Sequence, residues 1–217
     1  MIYNPDVLEA CQSYQELKNR LPTKISQALE LHSLLVRKWQ QAINLVASST
    51  LPELETRHIL DSWQLNAYIN PAKEVHIDLG SGAGFPAIAV ALYRQEVLKS
   101  NKPSYLIELD QRKALFLKRV LRSLDLKHCH VLNERVEKVT ELKADLITAR
   151  AYAPLEICFE STTALRKAET SFILPKGENA SQERSTAELR WSFAFESHTS
   201  LTQPSAAILL INNIAQR

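Results

Sequence analysis

Three of the four glycines in this 217-residue chain stand at positions 80, 82 and 84, and their surroundings constrain the fold more than any other feature. The run Asp78-Leu79-Gly80-Ser81-Gly82-Ala83-Gly84-Phe85-Pro86 follows a strand-like VHIDLG (75–80) and precedes a helix-like stretch at 85–98. Glycine permits a tight turn and lets a ligand approach the main chain closely. Pro86 suits the first helical turn, where its missing N–H goes unused. The spacing also excludes ligands. A dinucleotide fingerprint needs GxGxxG, and Phe85 stands where its third glycine should be. There is no G-x-x-x-x-G-K, so a phosphate-binding P-loop is excluded.

The elements around this turn alternate. After Pro71, strand-like YLIEL (105–109), HCHVL (128–132), ADLITA (144–149) and SFILP (171–175) are separated by helical stretches at 85–98, 111–125, 135–142 and 154–167. Such repetition predicts a parallel sheet covered by helices. SFAFES (192–197) and AAILLI (206–211) are joined by too short a connection for a crossover helix, so they should pair antiparallel at one edge. Before Pro71 the periodicity is helical. Residues 24–43 carry an i, i+3, i+4, i+7 apolar stripe that includes His32, read as a satisfied core or rim histidine. A weaker helix spans 7–20 and a third helix 54–68, stopped by Leu21-Pro22 and Asn70-Pro71. The division expected is a helical extension, 1–70, packed on a core of 71–217.

Composition removes other classes. The 45% hydrophobic content can fill a full core, yet no run of about 18 apolar residues predicts a membrane span. No export signal opens the chain, so a cytoplasmic location is expected. Cys11, Cys129 and Cys158 are scattered without a CxxC pair, which favours reduced thiols and disfavours a metal site. Net charge is only +2, but residues 71–150 hold fourteen Lys/Arg against ten Asp/Glu. Arg112, Lys118, Arg119 and Arg122 share one side of the helix at 111–125, opposite Phe116, Leu117, Val120 and Leu121. That side is either a solvated face or a phosphate-contacting stripe.

A GxGxG turn with an acid two residues before it looks like motif I of class I methyltransferases, whose cofactor, S-adenosylmethionine, carries no phosphate. Glu108, at the end of the next strand, is placed to accept hydrogen bonds from ribose hydroxyls, with Asp110 as the alternative. Asp78 could anchor the loop's amides or meet the cofactor's ammonium group. The segment at the fourth strand's end, Thr148-Ala149-Arg150-Ala151-Tyr152-Ala153-Pro154, lacks the Asn/Asp/Ser-Pro-Pro-aromatic motif of exocyclic-amine methyltransferases. Cys158 lacks the setting of a C5-methylation nucleophile and reads as a small buried residue. An acceptor that is already nucleophilic, such as purine N7, needs only positioning.

With these residues assembled, the chain resembles the GidB/RsmG family of small-subunit ribosomal RNA guanine-N7 methyltransferases. The likeness is carried by Lys38-Trp39-Gln40-Gln41-Ala42-Ile43-Asn44-Leu45, Arg57-His58-Ile59-Leu60-Asp61-Ser62, the glycine run through Pro86, Arg135-Val136-Glu137, Ala149-Arg150-Ala151 and Pro175-Lys176-Gly177. It implies a Rossmann-like α/β fold, a mostly parallel seven-stranded sheet with an antiparallel C-terminal pair. It implies cofactor contacts from Gly80, Phe85, Glu108, Val136, Glu137 and Arg150, beside Asp78, Gly82 and Gly84, which the turn itself offers to the same ligand. It implies 16S rRNA or the small ribosomal subunit as partner, with Arg57, His58 and Lys176 facing the RNA; no residue is singled out as catalytic. For Arg57 and His58, helix spacing equally permits an ion pair or hydrogen bond to Asp61; for Arg150 the competing reading is a surface ion pair. Tyr152 is read as either a base-stacking ring or core packing. The chain departs from the family at Val46, Ala87 and Glu108. The competing functions are a methyltransferase of another substrate, a non-catalytic ribosome-assembly factor and a nicotinamide oxidoreductase.

Overall fold

The computed structural model describes residues 13–217; Cys11 and the first half of the helix expected at 7–20 lie outside the described residues. Helix α1 (Tyr14–Arg20) is capped by Ser13, whose hydroxyl accepts from the Glu16 amide at 3.2 Å. It ends at Leu21, extended because a proline follows. Helix α2 (Thr23–Gln40) buries Ile25, Leu29, His32 and Val36. The helical stretch α3 changes pitch along its length: a wide π turn at Glu55–Leu60, an α turn at Asp61–Trp63 and a tight 3₁₀ end at Gln64–Tyr68. Irregular helical turns of this kind recur at functional sites.

From residue 76 the alternation expected from the sequence is realised. Strands β1 (His76–Leu79), β2 (Ser104–Ile107), β3 (Cys129–Leu132), β4 (Ala144–Ala149), β5 (Arg166–Lys176), β6 (Trp191–Thr199) and β7 (Ala207–Gln216) form one sheet. Its order is β3-β2-β1-β4-β5-β7-β6, with β7 antiparallel to both neighbours and the other pairs parallel. Helix α4 (Ala87–Leu92) continues into a π turn at Tyr93–Val97, and α5 (Gln111–Ser123) and α6 (Leu155–Ser161) follow their strands.

Three elements differ from the sequence-based expectation. The helix expected at 135–142 is a single 3₁₀ turn, Val136–Lys138, after which Val139 is already extended; β-branched Val139 and Thr140 favour that outcome. The helix expected at 154–167 stops at Ser161, where the Thr162 and Thr163 hydroxyls donate to Cys158 O (2.6 Å) and Phe159 O (3.2 Å). Helix α7 (Ala180–Ala187) has no counterpart in the sequence pattern, because ASQERSTA buries only its two end alanines and carries no apolar stripe.

Alternation along each strand sorts side chains onto two faces. Leu106, Leu146, Ile173 and Ile208 join a cluster with α1 to α5, while Ile107, Ile147, Phe172, Leu174 and Leu209 join Phe159 and Trp191 on the other side. Helices thus cover both faces, as a largely parallel sheet requires. Leu79 lies level with Ile107 and with Ala149. Gly80, Glu108 and Arg150 therefore leave adjacent strands at the same height, on the carboxyl edge where open α/β sheets hold ligands.

Candidate active site

The turn after β1 is held from two sides. Glu108, 8% exposed, accepts from the Gly82 amide through Oε2 and from the Asp110 amide through Oε1, both at 2.8 Å. Asn133, which sequence reasoning missed, donates to Glu108 O and Leu109 O. Asp110, the alternative ribose acceptor, caps α5 instead, accepting from the Arg112 and Lys113 amides. From the helical side, His32 Nε2 meets Ala83 O at 2.8 Å; a carbonyl only accepts, so the imidazole donates. Burial pushes His32 down to about 4, so it is neutral near pH 7. The core-histidine reading holds, and the residue braces the glycine loop.

The glycines have separate tasks. A Cβ on Gly84, φ +90°, would lie 2.6 Å from Ile88 Cγ1 and 3.2 Å from His32 Nε2, so this position admits helix and loop together. A Cβ on Gly80 would meet the Tyr152 ring at 2.7 Å. At Gly82, φ +53°, the nearest atom would be Gly80 O at 3.7 Å, so this glycine borders open space beside Glu108.

Beneath the loop, Asp78 is fully buried. Thr148 Oγ1 donates to its Oδ2 at 2.5 Å, and the same hydroxyl receives His76 Nε2 at 2.9 Å. Oδ1 has no hydrogen-bond partner among the described residues. Burial pushes the carboxyl up to about 7. A buried oxygen without a partner is a position that a donor or cation would satisfy.

Arg150 joins the glycine loop to α3. Its guanidinium donates to His58 Nδ1 at 2.6 Å and Arg57 O at 3.1 Å and faces Asp61 Oδ2 at 3.4 Å; Cζ lies 5.1 Å from the Phe85 ring centre. Guanidinium only donates, so His58 Nδ1 accepts and the ring hydrogen sits on Nε2. That hydrogen goes to Thr50 Oγ1 at 2.8 Å, whose own goes to Ala47 O at 2.8 Å. Burial, then Arg150, push His58 down to about 3. The imidazole is neutral near pH 7, with both nitrogens engaged. Phe85, 5% exposed, is packed between His32 and His58, with ring centres at 4.7 and 5.2 Å. Neither local pairing considered for α3 forms. Asp61 Oδ1 instead accepts from Thr202 Oγ1 (2.7 Å) and Gln64 Nε2 (2.9 Å), tying α3 to the β6–β7 connection. Arg57 is exposed, with no side-chain partner among the described residues.

These groups border a cleft of ≈ 420 Å³ at the carboxyl ends of β4 and β5, lined by Arg57, Arg150, Tyr152, Lys176, Glu183 and Thr202, among others. Lys176 Nζ donates to Ala153 O at 2.7 Å and to Glu183 Oε2 at 2.8 Å. Tyr152 stands between cleft and glycine loop, its ring against Gly80. Val136 is buried in the second core cluster and Glu137 is exposed on the 3₁₀ turn after β3. Cys158 is buried and pushed up to about 11, which leaves no thiolate near neutral pH. One sheet edge thus carries an acid-braced, glycine-lined turn and, on the far side of Tyr152, a cleft of mixed polar and apolar lining.

On the outer side of α5, Arg112, Lys118, Arg119 and Arg122 are exposed while Phe116, Leu117, Val120 and Leu121 are buried. No helix among the described residues is long and apolar enough to cross a membrane, and no three His, Cys, Asp or Glu side chains among them gather as a metal set.

A family model described as GidB, rRNA small subunit methyltransferase G, matches residues 25–209. The ribosomal RNA small subunit methyltransferase G of Paracoccus denitrificans is 39% identical over 190 residues, covering 87% of this chain and 95% of that protein. Its Rickettsia typhi counterpart is 37% identical over 197 residues, covering 90% and 98%. Among solved structures, an O-methyltransferase from Bacillus cereus in complex with SAH superposes with a TM-score of 0.59 at 14% identity, covering 91% of this chain and 96% of that one. A ribosomal protein L11 methylase from Lactobacillus delbrueckii gives 0.57 at 14% identity, covering 72% and 78%. The fold is that of Rossmann-like methyltransferases.

Proposed function

Because the chain belongs to the GidB family of rRNA small subunit methyltransferases, we propose that it transfers a methyl group from S-adenosylmethionine to N7 of a guanine in 16S rRNA. The observation that carries this reading is the presence, on one sheet edge, of a turn open at Gly82 and a cleft whose imidazole is already engaged at both nitrogens. The residues present fit the cofactor. Glycines 80, 82 and 84 shape a turn that a ligand can approach, Glu108 stands beside it, and the unpartnered Asp78 Oδ1 is suited to a cation. Val136 and Glu137 border the neighbouring strand end. When bound, the cofactor supplies an electrophilic methyl sulfonium.

The chain's own residues position the acceptor. Purine N7 carries a free lone pair, so no proton has to leave before transfer, and holding it in line is the enzyme's main task. His58, neutral and hydrogen-bonded at both nitrogens, orients Arg150 rather than moving protons. Arg57, exposed at the cleft and without a side-chain partner among the described residues, is suited to a phosphate. Lys176 brings a second positive charge, and Tyr152 offers a ring on which a base can stack. Residues 13–70 act as a helical extension that completes the site through His32, Thr50, His58 and Asp61. The protein works in the cytoplasm, where its substrate, as naked 16S rRNA or small subunit, resides. Deleting the gene should remove one methyl group from a guanine of 16S rRNA, read by mass spectrometry of its digests, and restoring the gene should return it. An unchanged methylation pattern contradicts the proposal.

The folded-state pKa of Asp78 is raised, so its protonated form contributes stability that is lost as pH rises from the usual carboxylate range through about 7. A bound cation favours the ionised form. Affinity for S-adenosylmethionine should therefore rise up to about tenfold between roughly pH 6 and 8 relative to Asp78→Asn. Calorimetric titrations at both pH values check this, and parallel profiles for the two proteins refute it. Separately, Arg112→Glu with Arg119→Glu should weaken RNA binding chiefly at low salt, lowering the salt slope by roughly 0.7 for each single-strand phosphate that is no longer neutralised. An unaltered slope in fluorescence titrations would mean that α5 presents only a solvated face.

A further inference from the structure

Two carboxylates line the cleft, and only one is fully occupied. Asp61 spends both oxygens on Arg150, Thr202 and Gln64. Glu183 receives Lys176 on Oε2, and its Oε1 has no partner among the described residues. Lys176 likewise keeps one donor in reserve. An ammonium has three donors, and two go to Ala153 O and Glu183. Their side chains are only 11% and 26% exposed, so the pair is fixed at the cleft wall. It presents one free N–H beside one free carboxylate oxygen.

That donor–acceptor pair complements the Watson–Crick edge of guanine, where O6 accepts while N1–H and the N2 amine donate. We propose that Lys176 and Glu183 select the acceptor base, Lys176 donating to O6 and Glu183 Oε1 accepting from the N1–H and N2–H side. Adenine is rejected at both points: its N6 amine would face the ammonium, and its N1 lone pair would face the carboxylate. N7 lies on the other edge of the purine and is left free to react. Lys176 thereby reads a base rather than a phosphate, and Arg57, which has no side-chain partner among the described residues, takes the backbone contact.

The inference rests on the guanine-N7 reading above, and the test separates the two. Small subunits are reconstituted with 16S rRNA bearing guanosine or inosine at the methylated position; inosine lacks only the N2 amine. For the wild-type enzyme, inosine should lower kcat/KM by about tenfold to a hundredfold, the usual range for removing one hydrogen bond to a charged group. Glu183→Gln should lose a comparable factor on guanosine and lose no more than about twofold further on inosine. Its affinity for S-adenosylmethionine, measured by calorimetry, should match the wild type. Equal wild-type rates on the two bases, or independent multiplying losses in the variant, overturn the assignment. That first comparison needs no variant. Failure of the wild type to methylate the guanosine subunit overturns the underlying reading itself.

Discussion

Gly82→Asp abolishes S-adenosylmethionine binding while the protein stays folded: this is the largest effect expected of any single substitution in the loop. Position 82 combines three features. Its backbone lies at φ +53°, a region that aspartate tolerates better than most residues. A Cβ there meets nothing closer than Gly80 O at 3.7 Å, so the native fold admits the side chain. Its amide is bonded to Glu108, so a new carboxylate would stand beside an existing one and fill the open side of the turn. We expect affinity to fall more than about a hundredfold, equivalent to about 2.7 kcal/mol, with a melting temperature lowered by only a few degrees. Gly84→Ala should do the reverse, losing stability first, because its methyl would press on Ile88 and His32. Calorimetry and thermal melts on the same samples distinguish the two. Unchanged affinity in Gly82→Asp would mean that the turn does not receive the ligand.

Arg150→Ala tests the junction between the glycine loop and α3. Arg150 and Asp61 are 18% and 15% exposed, and the guanidinium also serves His58, the Arg57 carbonyl and the Phe85 ring. Removing one member of a largely buried pair leaves the other without compensation, which costs about 3 kcal/mol or more. For a protein of this size that corresponds to roughly 6–12 °C in melting temperature. Methyl transfer should fall with it, because His58 and Phe85 lose the group that sets their positions. Arg150→Lys should rescue little, since a single ammonium cannot reproduce the planar fork. A stability loss below about 1 kcal/mol would instead identify an ordinary surface ion pair.

The sheet is legible in the sequence because each central strand is a short apolar run between helical segments, and the structure keeps that order, including the antiparallel pair formed by β6 and β7. The glycine turn is legible for a similar reason: in a glycine-poor chain, positive φ at 82 and 84 leaves few other residues possible. The cleft is less visible. Asp61 reaches Thr202 and Ser200 across more than a hundred residues, a pairing that no local spacing encodes. Helix spacing offers Asp61 to Arg57 and His58, yet the guanidinium from β4 takes its place beside it. Glu183 lies in a polar stretch with no apolar stripe, so neither its helix nor its pairing with Lys176 leaves a periodic signal. His32 reads as a buried histidine from its place on the stripe, but the carbonyl it braces is known only once α2 is folded against the loop.

Methyl transfer from S-adenosylmethionine to a guanine N7 of small-subunit RNA can be read directly. Purified protein should be incubated with methyl-labelled S-adenosylmethionine and small ribosomal subunits from cells lacking the gene, and the labelled nucleoside then identified. Label is expected in 7-methylguanosine at one position of 16S rRNA, none with the Gly82→Asp protein, and none in ribosomal proteins. Label in another base, in protein, or in neither contradicts that expectation.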